Sequence, residues 1–194
     1  MTSRTRARSL TVVAILAAGA VALIGSTQTW AVAALADGPL PTPGSTAVPV
    51  LQPLALTVLA LGLVLTLVGR ALRYVLGVLA IAAASAIGAL TVPMLVTPPV
   101  SAVAPAVTDR TGLAGLEAIA GVVRDVTPTP WPAVTFACAI VVAVAGAVVL
   151  VTAHRWTQGG RRYSAAEQAP RSTTGPLDSV HSWDDLSRGD DPTR

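Results

Sequence analysis

WPAVTFACAIVVAVAGAVVLVTA, residues 131–153, carries no Asp, Glu, Lys, Arg or His. A helix rises about 1.5 Å per residue and the hydrocarbon core of a bilayer is about 30 Å thick, so roughly 20 apolar residues cross it. A helix also closes its backbone hydrogen bonds internally, which lipid requires. The stretch is therefore read as a transmembrane helix. Residues 10–30, 51–68 and 74–96 meet the same test and are equally free of those five residue types.

Composition agrees with four such spans. Hydrophobic residues make up 53% of the 194-residue chain and charged residues only 12%, against about a quarter charged in soluble domains. Too little polar surface remains to cover the molecule in water. All thirteen basic residues are arginine, which with the Ala, Val, Gly and Pro bias resembles the codon usage of a high-GC genome. The net charge of +3 is small and the arginines flank apolar runs instead of forming one patch, which argues against a nucleic-acid partner. The single cysteine, Cys138, excludes an internal disulfide and any multi-Cys metal site.

Arginine placement sets direction, because cytoplasmic flanks of short loops collect positive charge. Arg4, Arg6 and Arg8 precede the first span, Arg70 and Arg73 fill the turn between the second and third, and Arg155, Arg161 and Arg162 follow the fourth. The other two loops hold Asp37 in one case, and Asp109, Arg110, Glu117, Arg124 and Asp125 in the other. The expected fold is all-α, a four-helix transmembrane bundle with both termini cytoplasmic: a basic N-terminus (1–9), a membrane domain (10–156) and a disordered cytoplasmic tail (157–194). A rival reading makes the first span a signal peptide cleaved after AVA (31–33) or ALA (34–36). Its apolar run exceeds the usual h-region of about 7–15 residues, which favours an uncleaved anchor.

Within lipid, helices associate through close packing, so small residues four apart mark expected contact faces. Ala14, Ala18, Ala22 and Ser26 form one stripe, Ala80, Ala84 and Gly88 another, and Ala139, Ala143 and Ala147 a third, although an alanine-rich chain also produces such stripes by chance. Pro53 and Pro93 fall near span ends, where a missing donor costs little. Trp30, Tyr74, Trp131 and Trp156 lie near span boundaries with Arg70 and Arg73 and are expected at the membrane interface. The spans offer only Thr57, Thr66, Ser85, Thr91, Thr135 and Cys138 as polar groups, whereas ion- and proton-coupled transporters use ionisable residues there. Cys138 reads as a packing residue.

Residues 37–46, DGPLPTPGST, have the Pro and Gly punctuation of irregular chain. Residues 111–126 place Leu113, Leu116, Ala120 and Val123 at helical spacing, the pattern of a short helix packed on the bundle or the outer leaflet. His154 and His181 have no second ligand at metal spacing, and no P-loop, GxSxG or HExxH occurs. Gly159 and Gly160 read as a helix terminator. Neither a cofactor nor an enzymatic activity is expected.

The tail turns acidic at its end, WDDLSRGDDPT at 183–193. Ser182 and Asp185 have the spacing of a capping box, Trp183 and Leu186 share a face of the resulting turn, Gly189 ends it and Pro192 keeps the last residues extended. So short a helix is marginal alone. Asp184, Asp185, Asp190 and Asp191 are repelled by an anionic membrane, which leaves a solvated tail or an apolar, acidic hook for a basic groove on a protein, with Trp183 as its anchor.

This ending closely resembles the W-D-x-L-x-R-G-x-D-P-T terminus of the tryptophan-biosynthesis-associated membrane proteins of actinobacteria. STQTW (26–30), Arg70 and Arg73, Trp131 with Pro132, and RRY (161–163) extend the likeness along the chain. The resemblance implies a four-span inner-membrane protein with a pathway association and no defined reaction. It marks Trp183, Asp184, Leu186, Arg188, Gly189, Asp191, Pro192 and Thr193 as the family-type positions. Together these features point to a non-enzymatic scaffold or regulator, anchored in the lipid bilayer, whose tail binds a cytosolic tryptophan-pathway protein. The alternative is a homo-oligomeric facilitator for indole or tryptophan.

Overall fold

The structure, a computed structural model, describes residues 3–152. It is mostly helical. Helix α1 (Ser3–Thr27) leads into strands β1 (Thr29–Leu35) and β2 (Gly38–Pro43), a single turn α2 (Gly44–Ala47), and helices α3 (Leu51–Val64), α4 (Arg70–Val96), α5 (Val100–Thr111) and α6 (Leu116–Val122). Strand β3 (Asp125–Pro128) and helix α7 (Trp131–Thr152) complete the described chain.

Three stretches are long and apolar enough to cross a membrane: Ser9–Thr27, Ala71–Val96 and Trp131–Thr152. Helix α3 has 14 residues, about 21 Å at 1.5 Å per residue, short of the about 30 Å core. The expected span over 51–68 thus stops early as a helix. Overlapping turns, Leu65 N–H to the Leu61 carbonyl at 2.9 Å and Leu67 N–H to that of Val64 at 2.9 Å, carry the chain onward to Gly69 and α4. Helix α4, which contains the third span, begins at Arg70, four residues before the expected Tyr74, and Pro93 lies inside its last turns.

Helix α1 packs on α3 and α7, and α4 packs on α7 and α3. Their shared core contains Val12, Ile15, Val58, Ile87, Val142 and Val149. Glycines set the approach where backbones come closest. A Cβ on Gly146 of α7 would stand 3.1 Å from the Gly77 carbonyl oxygen and 2.9 Å from Ile81 Cγ1 of α4. One on Gly62 of α3 would meet Leu16 Cδ2 at 2.9 Å. Of the small-residue stripes, Ala18, Ala22 and Ser26 are buried with Ala14 half-buried, and Ala80, Ala84 and Gly88 are buried. The third stripe is not the contact face of α7. Ala147 is exposed, and burial instead follows Thr135, Ala139, Val142, Gly146 and Val149, a 3-4 rhythm better matched to a helix that turns every 3.6 residues.

The outward faces remain apolar: Val13, Ile24, Leu63, Val78, Val144 and Val151 are all more than half exposed. Water would penalise that belt, and lipid tails solvate it.

The largest departure from the all-α expectation lies at the other end of the chain's first loop. Residues 37–46, expected to be irregular, form most of a hairpin, and the structure holds a three-stranded antiparallel sheet in the order β2-β1-β3. In it Ala33 faces Leu40 on one side and Val126 on the other. Because Trp30 accepts from the Thr129 N–H at 3.0 Å, the even residues of β1 bond to β3 and the odd ones to β2. Pro39, Pro41 and Pro43 therefore turn outward from β2, along an edge where a missing N–H breaks no ladder bond. Such an edge resists pairing with another strand.

Helix α5, which no periodicity announced, lays Val103 and Val107 over Ala31, Ala33 and Leu35 to form a second, separate core with Ile119 of α6. The expected helix at 111–126 is shorter and turned. Leu116 is 57% exposed and Ala120 is exposed, while Ile119 is buried and Leu113 and Val123 pack only partly. Gly112, at φ +73, ends α5 in the left-handed region that favours glycine.

Candidate functional site

The sequence-derived partner-binding residues Trp183, Asp184, Leu186, Arg188, Gly189, Asp191, Pro192 and Thr193, and the interface residue Trp156, lie outside the described residues. The other interface residues divide between the two ends of the helices. Arg70 is the first residue of α4, and Arg73, a turn later, is only 2% exposed. Its guanidinium is thus enclosed by protein, a departure from the headgroup contact expected of it. Tyr74 is 37% exposed beside it. Trp131, at the start of α7, is half-buried against the helix core.

Trp30 departs furthest from interfacial anchoring. Its ring is wholly buried, and its Nε1–H donates to the Gly25 carbonyl at 2.9 Å. That carbonyl also accepts the Gln28 N–H at 3.1 Å, which tightens the last turn of α1. Ser26 and Thr27 fold their hydroxyls back to the Leu23 and Ile24 carbonyls at 2.7 and 2.8 Å, satisfying acceptors that the helix end would otherwise leave open. The chain then straightens into β1. Thr129, just past β3, donates its N–H to the Trp30 carbonyl and its hydroxyl to the Thr29 carbonyl at 2.6 Å. One residue thereby ties the end of α1, the sheet and the approach to α7.

Above this junction the cap carries the charged groups. Arg110 at the end of α5 pairs with Asp37 in the β1–β2 turn at 3.0 Å, with both side chains well exposed. Beside the pair lies a cavity of about 360 Å³ that is open to the surface, its lining exposed except for Leu35. Leu35 and Asp37 line it from the hairpin, Thr111 from α5, and Gly121, Val122 and Arg124 from the end of α6. The Arg124 N–H donates to the Ala34 carbonyl at 2.9 Å, so its backbone is fixed to the central strand. Sequence reasoning placed Asp37, Arg110 and Arg124 in loops on one side but did not bring them together. The available signal was the alternating proline pattern of 39–43, which suits an edge strand.

Among the described residues, no three His, Cys, Asp or Glu side chains gather as a metal site.

No curated protein and no solved structure matches the chain. The family model for the tryptophan-associated transmembrane proteins matches residues 12–193, from within α1 through the terminal WDDLSRGDDPT motif. With nearly its whole length aligned, the chain belongs to the family of tryptophan-associated transmembrane proteins.

Proposed function

We infer that the protein is a non-enzymatic scaffold or regulator, a four-span bundle that holds its tail at the cytoplasmic face to bind a soluble tryptophan-pathway protein. The carrying observation is a contrast within one chain. The three stretches long enough to cross a membrane hold no Asp, Glu, Lys or His and a single arginine, Arg73 near the start of α4, while the end of the chain carries a specific Trp-, Asp- and Arg-bearing motif.

The helix connections support the proposed orientation. The sheet joins residues after α1 to residues before α7, so those two helix ends meet at the cap, and α3 starts and α4 ends beside it. The opposite helix ends are the start of α1, the α3–α4 turn and the end of α7, where the arginines used to assign the cytoplasmic side precede or follow in the sequence. Acidic residues outnumber basic ones in the cap loops. Under the positive-inside rule that distribution supports a cap outside and both termini inside. Helix α3 with its trailing turn then serves as the fourth span, its shortfall met by local thinning of the bilayer.

The test is copurification of the full chain from native membranes in mild detergent, comparing wild type with Trp183→Ala. A defined soluble protein that accompanies the wild type and is lost from the variant is the expected result. Equal recovery with both proteins overturns the assignment.

A further inference from the structure

We propose that the open cap cavity binds a small apolar monocarboxylate, anchored on Arg124. The inference is independent of the tail and of any soluble partner.

Charge accounting in the cap selects the ligand's polar end. Asp37 is answered by Arg110 at 3.0 Å. Arg124 lines the same cavity and has no ion pair among the described residues. A guanidinium presents a planar fork of donors that suits a carboxylate in two-point contact. Its base is held still, because the Arg124 N–H bonds the central strand at Ala34 and β3 begins at the next residue. Asp37, also in the lining, disfavours a second negative charge on the ligand.

The remaining wall selects the other end. Val122 and Leu35 supply apolar surface, and Gly121 leaves open space where a side chain would stand, with no atom within 4 Å of its hypothetical Cβ. A cavity of about 360 Å³ lies at the small end of ligand sites, which span about 300–1,000 Å³. It takes a few-carbon acid more readily than a larger cofactor.

The experiment uses the full chain in nanodiscs with methyl-labelled Leu and Val, titrated with isovalerate and, separately, with its neutral amide. Isovalerate is expected to shift the Leu35 and Val122 methyl resonances saturably, with a dissociation constant on the order of 1 mM, typical of so small a ligand. The amide and the Arg124→Gln variant should each bind about tenfold more weakly, reflecting loss of the charge-assisted contact. Gly121→Leu, which keeps the arginine but fills the cavity, should abolish the shifts. Unchanged Val103 and Val107 resonances in both variants verify that the cap core is intact. Equal titration by acid and amide, an unaffected Arg124→Gln protein, or no shift at Leu35 and Val122 overturns the proposal.

Discussion

The indole nitrogen of Trp30 lies 2.6 Å from the point where a Cβ on Gly44 would stand. The ring therefore occupies space that only a glycine at that position leaves free, and the first turn after β2 is built around it. Gly44→Ala must displace the indole or the turn, and with it the Nε1–H bond to Gly25. The expected loss is about 1–3 kcal/mol from overpacking. It should register as a lower midpoint for thermal unfolding in detergent. Trp30→Ala should cost more, about 3–5 kcal/mol for a large aromatic removed from a closed core.

Two glycines on the helix core should behave oppositely. Gly146→Val places a branched side chain against the Gly77 carbonyl and Ile81 of α4 and should weaken that pair by at least about 1 kcal/mol. At Gly88 the nearest atom to an added Cβ is Phe136 Cε2 at 3.7 Å, an ordinary contact. Gly88→Ala should therefore be neutral or slightly stabilising, since alanine is the better helix former by about 1 kcal/mol. Similar destabilisation at both sites would contradict the α4–α7 geometry.

The sheet register predicts a crosslink. Val32 faces Thr127 across β1 and β3, so cysteines at these two positions, in a Cys138→Ala background, should form a disulfide on mild oxidation. Pairing Val32→Cys with Asp125→Cys shifts the contact by two residues along the strand, some 7 Å, and should give little product. Gel mobility with and without reductant reads both results.

The Arg110–Asp37 bridge is exposed on both sides, and exposed pairs contribute about 0–1 kcal/mol. Asp37→Asn should leave unfolding almost unchanged, with any difference vanishing as salt is raised. A loss above about 2 kcal/mol would mean that the pair is shielded far more than its exposure suggests.

The helices were readable because lipid imposes a one-dimensional rule: a stretch of the 74–96 kind needs only length and apolarity to declare itself. The cap obeys no such rule. Strand β1, TWAVAAL, looks like a continuation of the first apolar run. The helix ends before Trp30 in a tight turn at Gly25, with Ser26 and Thr27 back-bonded. A tryptophan near a span end is usually an anchor in the headgroups, and Trp30 is instead a core residue because Gly44, in another segment, makes room for it. Helix α5 hid behind Pro105 and a low apolar content. Two of its buried residues, Val103 and Val107, have meaning only against the sheet beneath them. Ile119 was passed over for its neighbours because the direction of a seven-residue helix is set by what it rests on.

The middle strand of the cap is synthesised early and finds its second neighbour late. Residues 125–128, which complete its ladder, emerge nearly a hundred positions after β1, and α7 follows almost at once. During biogenesis the hairpin must therefore wait with one flank open while α3 to α6 are made. Its other side, the proline-bearing edge of β2, offers few N–H groups to a foreign strand throughout that interval. The flank left open is the one that the nascent chain itself will close, so the order of synthesis and the direction of the blocked edge guard against the same misassembly.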